Sequence, residues 1–345
     1  MTLYILPIKW ANTSGNHAGM YYLANMIKEN SDIDVKIISI STKYLLFLNK
    51  IRLGFLYNIY CWLLSVWLKR VVTPNDAVLL MEYYLPQIDQ SIIAKKLNGK
   101  CSVYGIAHLV PSILNKFYTT KQIQELSQYL NRLYVLGDSL RDYFISKGLD
   151  PNQVVTTFHY VDSSFYRPSN ELREENHVFQ VICMGNMARN YKDLETIVER
   201  LPYINFAICS GTADLESRFG KFPNVKIIGY IEEYKLRELM HSSEISLNVM
   251  EDTIGSNVIT TSLACGLVVV ATNVGSIGNY INNGVNGFLY DSVEDVVSII
   301  DTLYHDRTKL RSISIKAREK AEDLDYMKFI DWFKSQIQTG QNERK

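Results

Sequence analysis

Short apolar runs of four to seven residues alternate, from Leu3 to Tyr290, with longer stretches in which apolar positions recur every three or four residues. The short runs predict strands and the longer ones helices. Strands are expected over 3–8, 35–40, 77–81, 101–107 and 133–136, with helices over 19–30 and 88–97. A further helix opens at Asp138 or Ser139 and stops at Gly148. The polar run 171–177 then interrupts the pattern, and the alternation resumes with strands over 178–184, 204–209, 225–228, 245–249 and 267–271. Helices over 192–201, 232–241, 256–266 and 293–304 lie between and after these, and Met327 to Ile337 is a last amphipathic stretch. Strands buried on both faces and separated by helices build doubly wound parallel sheets. The fold class is therefore α/β, with one unit over 1–170 and a second over 171–325.

The stretch 251–290 concentrates the candidate chemistry. Gly255 permits a tight turn, and Ser256 and Asn257 are suited to cap a helix that Gly266 ends. The first amides of a helix have no internal partner and carry the positive end of the macrodipole, so this opening suits a phosphate or diphosphate. Gly185 to Lys192 follows the strand 178–184, where Arg189 offers a bidentate cation and Lys192 a point charge. His108 directly follows the strand 101–107, at the carboxyl end where open α/β sheets bind ligands. The loop from Ala11 to Gly19 connects the first strand to its helix but lacks a G-x-G-x-x-G fingerprint.

Composition narrows the classes. With 36 basic and 36 acidic residues the formal net charge is zero, which argues against a nucleic-acid-coating protein. The five cysteines are scattered, without C-x-x-C spacing, and read as buried thiols of a reducing compartment. MTLYILPIKW has no basic start and too short an apolar run for a signal peptide, so the cytoplasm is expected. Residues 43–70 are unusual, with Lys43, Lys50, Arg52, Lys69 and Arg70 interleaved with Tyr, Trp, Phe and Leu. The apolar centre, Phe55 to Leu68, is about one third too short to span a bilayer. The segment reads either as a helix pair on an anionic membrane surface or as an amphipathic pair packed on the sheet. No Asp-x-Asp-type pair stands at a strand's carboxyl end, so no metal is expected.

Leu263 to Tyr290, LACGLVVVATNVGSIGNYINNGVNGFLY, resembles the donor-binding signature of the retaining GT-B glycosyltransferases of group 1. The resemblance covers the second unit well and the first loosely. It implies two Rossmann-like domains facing across a cleft, with the end of the chain, 326–345, crossing back to the first as a helix and a polar tail. It also implies transfer of a sugar from a UDP- or GDP-linked donor, a substrate rather than a cofactor, to a glycan or lipid-linked glycan. Surface polysaccharide assembly at the inner face of the membrane is the setting implied. His108 would lie close to the donor sugar, and Gly15 and Gly19 near the diphosphate and acceptor. Arg189 and Lys192 would neutralise the diphosphate held at Gly185, Gly255, Ser256 and Asn257, with Ser210 and Tyr230 beside the ribose and base. The family has two Glu residues where this chain has Thr253 and Thr261, so Thr261 would meet the ribose through a neutral hydroxyl, or a neighbour such as Glu251 would serve. That departure keeps a non-catalytic glycan- or partner-binding protein in view, and a nucleotide-sugar 2-epimerase on the same fold is a further alternative.

Overall fold

A computed structural model gives the fold over residues 1–10, 15–169, 178–211 and 213–342, with 45, 46 and 340–342 described by backbone alone. The chain divides into two compact units, 1–158 with 326–345, and 159–325. Unit 1 opens with β1 (Thr2–Leu6), β2 (Ile8–Lys9), α1 (Met20–Asn30), β3 (Asp34–Ile37) and β4 (Ile40–Ser41). The expected strands 3–8 and 35–40 are thus each broken in two. Pro7 has no N–H to give to a ladder, and the pieces beyond the break, β2 and β4, pair in a small sheet of their own. Next come α2 (Leu45–Lys50), α3 (Leu56–Val71), β5 (Ala77–Tyr83), α4 (Ser91–Leu97), β6 (Ser102–Ala107), α5 (Pro111–Phe117), α6 (Thr120–Ser127), β7 (Arg132–Val135), α7 (Asp138–Ser146) and β8 (Val154–Thr156). The main sheet is parallel in the order β3-β1-β5-β6-β7-β8. Every residue of β5 and β6 is buried, as continuous apolar runs in a doubly covered sheet require.

Unit 2 contains β9 (Gln180–Met184), α8 (Tyr191–Arg200), β10 (Asn205–Gly211), α9 (Glu216–Phe219), β11 (Val225–Gly229), α10 (Glu233–His241), β12 (Ile245–Asn248), α11 (Asn257–Ala264), β13 (Val268–Thr272), β14 (Gly287–Tyr290), α12 (Val293–His305) and α13 (Arg307–Glu322). Its sheet is also parallel, ordered β11-β10-β9-β12-β13-β14. Phe206, Ile208, Leu247, Val268 and Val270 fill its core against Leu194, Ile197, Val296 and Ile300 from α8 and α12. Ser292 and Asp295 close the capping box that opens α12.

The junction lies earlier than a boundary near 170. The polar run 171–177 is outside the described residues, and the segment before it is already bound into unit 2. The amide of His159 donates to the Tyr280 hydroxyl at 2.9 Å, and the Val161 amide donates to the Leu324 carbonyl. Arg318 of α13 donates to the carbonyls of Ser163, Tyr166 and Ala264. After Asp325 the chain returns to unit 1 as α14 (Tyr326–Asn342), where Phe329, Ile330, Phe333 and Ile337 are buried. Trp332 and Phe333 pack edge-on to Tyr134, and Lys334 pairs with Asp32 at 2.7 Å.

Candidate functional site

In unit 2 the strand order reverses between β9 and β12, so the connections leaving those two strands part to opposite faces of the sheet. Such a switch point is where open α/β sheets form a ligand crevice. The two connections are stitched together: the Asn190 amide donates to the Val249 carbonyl at 3.0 Å and the Glu251 amide to Ala188 at 2.9 Å. To make that return, Ala188 takes a φ of 50°, a left-handed conformation rare for a residue with a side chain. Gly185 begins the first connection at φ 82°, and a Cβ there would lie 3.0 Å from Nη2 of Arg189 and 3.6 Å from Val258. The β9 loop therefore lies against the first turn of α11.

That turn is open. Ser256 caps α11, its hydroxyl and carbonyl both accepting from the Ile259 amide, while its carbonyl also accepts from Thr260. The amides of Ser256, Asn257 and Val258 have no acceptor among the described residues. Three donors at the positive end of a helix make a seat for an anion. The turn leading into it is held from two sides. Gly255 has φ 97°, and a Cβ there would lie 2.2 Å from the Tyr280 hydroxyl. A Cβ on Gly275 would lie 2.1 Å from the Thr253 carbonyl, which accepts from the Ser276 amide at 2.7 Å. Sequence reasoning missed the part played by Tyr280 and Gly275. Both lie in the Gly-punctuated run after β13, but only the fold shows that they press on the 253–255 turn.

The cations differ in their freedom. Arg189 is half-buried, and its Nε and Nη2 donate to the Met184 carbonyl at 3.1 and 2.8 Å. Burial lowers its pKa, yet an arginine remains a cation at neutral pH. Lys192 is exposed in the first turn of α8, whose cap is Asn190, accepting from the Asp193 amide at 3.1 Å. Asp252 is half-buried, and burial raises its carboxyl above the usual range. Among the described residues no three His, Cys, Asp or Glu side chains gather as metal ligands.

Gly185, Arg189, Gly255, Ser256 and Asn257 come together at this switch point, with Lys192 at its margin. The other expected contacts are placed differently. Ser210 is buried, its hydroxyl donating to the Ala213 carbonyl at 2.8 Å, so it closes its own turn. Thr261 is buried in α11 and donates to the Asn257 carbonyl at 2.6 Å, and Thr253 accepts from the Gly255 amide at 3.2 Å. Both hydroxyls are therefore engaged within the protein. Tyr230 is exposed beyond the edge strand β11, separated from β9 by β10. His108, Gly15 and Gly19 belong to unit 1. His108 is half-buried, its Nε2 2.7 Å from the Met81 carbonyl. Gly15 lies in an exposed turn, and Gly19 is the N-cap of α1. Residues 11–14 of that loop lie outside the described residues.

Residues 178–306, which hold this switch point, match the family model of group 1 glycosyl transferases. Most of unit 2 is thus similar to a group 1 glycosyl transferase domain. The chain is 28% identical over 189 residues to a sulfoquinovosyl transferase of Arabidopsis thaliana, covering 52% of this chain and 36% of that protein. It thus spans about a third of the length of that relative. Among solved structures it is similar to a sucrose-phosphate synthase from Thermosynechococcus elongatus, with a TM-score of 0.77, 11% identity and coverage of 100% of each chain. It is also similar to the Anabaena protein HepE, solved in complex with UDP-glucose, with a TM-score of 0.73, 14% identity and coverage of 98% and 100%. The fold is that of the GT-B glycosyltransferases, with two Rossmann-like units each built on a six-stranded parallel sheet.

Proposed function

We propose that the protein transfers a hexosyl unit from a UDP- or GDP-linked donor to a hydroxyl of a glycan or lipid-linked glycan, with retention of anomeric configuration and without a metal. Its setting is surface polysaccharide assembly on the cytoplasmic face of the membrane. One observation carries the reading: three unsatisfied amides at the start of α11 stand at the switch point of a group 1 domain. As the bond from the anomeric carbon to the diphosphate breaks, negative charge grows on the leaving phosphate oxygen. Fixed dipoles aimed at that oxygen stabilise the charge without reorganising. Lys192 adds a mobile cation. Arg189, held at the Met184 carbonyl, keeps Nη1 for a second contact. The UDP-glucose in the HepE complex supports a nucleotide sugar as the donor class.

A second reading is a non-catalytic protein that binds a nucleotide sugar or glycan. The observation favouring it is that Thr253 and Thr261 replace the family's carboxylates and turn their hydroxyls inward. Release of UDP or GDP from a panel of nucleotide sugars, with a broad set of acceptors and with EDTA present, separates the two. Transfer with any donor rejects the non-catalytic reading, whereas tight donor binding without turnover across the panel rejects the transferase. Turnover abolished by EDTA removes the metal-independent mechanism.

A further inference from the structure

Helix α3 is apolar on two opposite faces. Tyr57, Cys61, Leu64, Ser65 and Leu68 form its inner face, packed against α4. At 100° per residue, Leu56, Ile59, Tyr60, Leu63 and Trp67 fall in one stripe on the other side, each between 39% and 55% exposed. A surface helix ordinarily turns charged and polar residues outward, so this stripe lacks the counterpart that would suit it to water. The segment before it continues the pattern, with Tyr44, Phe47, Ile51 and Phe55 exposed. Cations stand at both ends of the surface: Lys43, Lys50 and Arg52 before the stripe, Lys69 and Arg70 after it. From Val35 to Asn75 there is no Asp or Glu, in a chain whose acidic and basic residues are equal in number overall.

We propose that the outer face of α3, with α2 before it, docks on an anionic bilayer, the helix lying in the plane of the surface. Sixteen residues of helix reach about 24 Å, short of the roughly 30 Å hydrocarbon core, and no helix among the described residues is long and apolar enough to cross a membrane. Leu63, Ile59 and Leu56 enter the acyl boundary, Trp67 and Tyr60 sit at headgroup level, and the flanking cations meet lipid phosphates. A second copy of the chain is the poorer occupant. A two-fold contact sets the same patch against itself, bringing a surface with cations and no carboxylates onto another of the same sign. The proposal does not rest on transferase activity, and a protein that turns over no donor still binds the bilayer.

The test uses the intact chain with phosphatidylcholine vesicles containing about 30% phosphatidylglycerol, and with phosphatidylcholine alone, at low salt. Wild type sediments with the anionic vesicles at least several-fold better than with the neutral ones, and its tryptophan emission shifts to the blue. Lys50→Gln, Arg52→Gln, Lys69→Gln and Arg70→Gln together weaken binding by on the order of several hundredfold at low salt. Leu63→Glu with Trp67→Glu abolishes binding while leaving the far-UV circular dichroism unchanged, because both side chains face away from the packed side. Trp62→Phe with Trp67→Phe keeps binding but loses most of the emission shift, which covers the case of a charged variant that fails to fold. The proposal is overturned by wild type that does not sediment at low salt, or by equal binding to neutral and anionic vesicles. It is equally overturned by a wild-type dimer that Leu63→Glu with Trp67→Glu dissolves in the absence of any vesicle binding.

Discussion

A methyl group at position 255 would lie 2.2 Å from the Tyr280 hydroxyl, on a backbone already at φ 97°. Gly255→Ala therefore displaces the turn that presents the α11 amides, costing about 1–3 kcal/mol of stability through strain. Nucleotide affinity measured by calorimetry falls with it; unchanged affinity would mean that the amides are not the seat. Lys192→Ala, by contrast, removes an exposed cation and leaves the melting temperature unmoved. Loss of one charge-assisted contact lowers nucleoside-diphosphate affinity roughly ten- to a hundredfold, about 1.5–3 kcal/mol. Equal binding by wild type and Lys192→Ala takes the lysine out of the site. Glu82 gives unit 1 a pH dependence. It is buried in β5, its Oε2 accepting from the Ile8 amide at 2.9 Å while Oε1 has no partner among the described residues. Burial pushes its carboxyl up to about 8, from an ordinary value of 4.5. The folded chain holds that proton more tightly than the unfolded one, so its stabilising effect is full below about pH 4.5 and is lost as pH rises through about 8. Wild type should lose thermal stability between about pH 4.5 and pH 8 relative to Glu82→Gln, and parallel curves would show that the carboxyl is not held protonated by the fold.

Helix α11 shows how an element can present a site through its backbone, whatever side chains it carries. Its cap, open amides and Gly266 stop at φ 70° are features of backbone and turn, independent of the side chains at 253 and 261. Thr261 spends its hydroxyl on the Asn257 carbonyl one turn back. Thr261→Val should therefore change nucleotide affinity by no more than about threefold, since the bond lost is internal and worth roughly 0.5–1.5 kcal/mol. A larger loss in calorimetry would show that the hydroxyl swings out to meet the ligand. Helix α13 was not legible in the sequence because its buried stripe is Ile313, Ala317 and Ala321, one residue per turn and mostly small. Helix α3 was legible as an element, but its outward apolar stripe emerged only once α4 was seen to take the opposite face.

At the scale of the molecule, unit 1 is completed by the end of the chain. Phe333 is buried against Tyr104 and Tyr134, the central aromatics of β6 and β7. Phe333→Ala should cost unit 1 about 3–5 kcal/mol. Because the amides proposed to seat the nucleotide all lie in unit 2, nucleotide binding by the remaining folded protein should be retained. A melt in which an early transition separates from a nucleotide-stabilised later one would show this; loss of nucleotide binding at temperatures where both units are folded would show that the site draws on unit 1.

The sequence by itself determined the two parallel sheets, the helix start at Ser256, the glycine-bearing turn before it and the cations after β9. Each of these is written in a local pattern of burial period, cap or turn residue that acts within a few positions of the chain. Tertiary structure decided which hydroxyls are spent inside: Ser210 on its own turn, Thr253 on Gly255 and Thr261 on its own helix. It also decided that Arg189 is anchored to the Met184 carbonyl and that the 159–168 segment belongs to unit 2. The hydroxyl and arginine bonds span only two to five positions, but residue type does not say whether such a group turns to a neighbouring backbone atom or to a ligand. The placing of 159–168 depends on distant partners such as Tyr280, more than a hundred positions beyond His159. Hydrogen bonds and steric limits of that range exist only when distant elements have met, so no periodicity or motif along the chain could announce them.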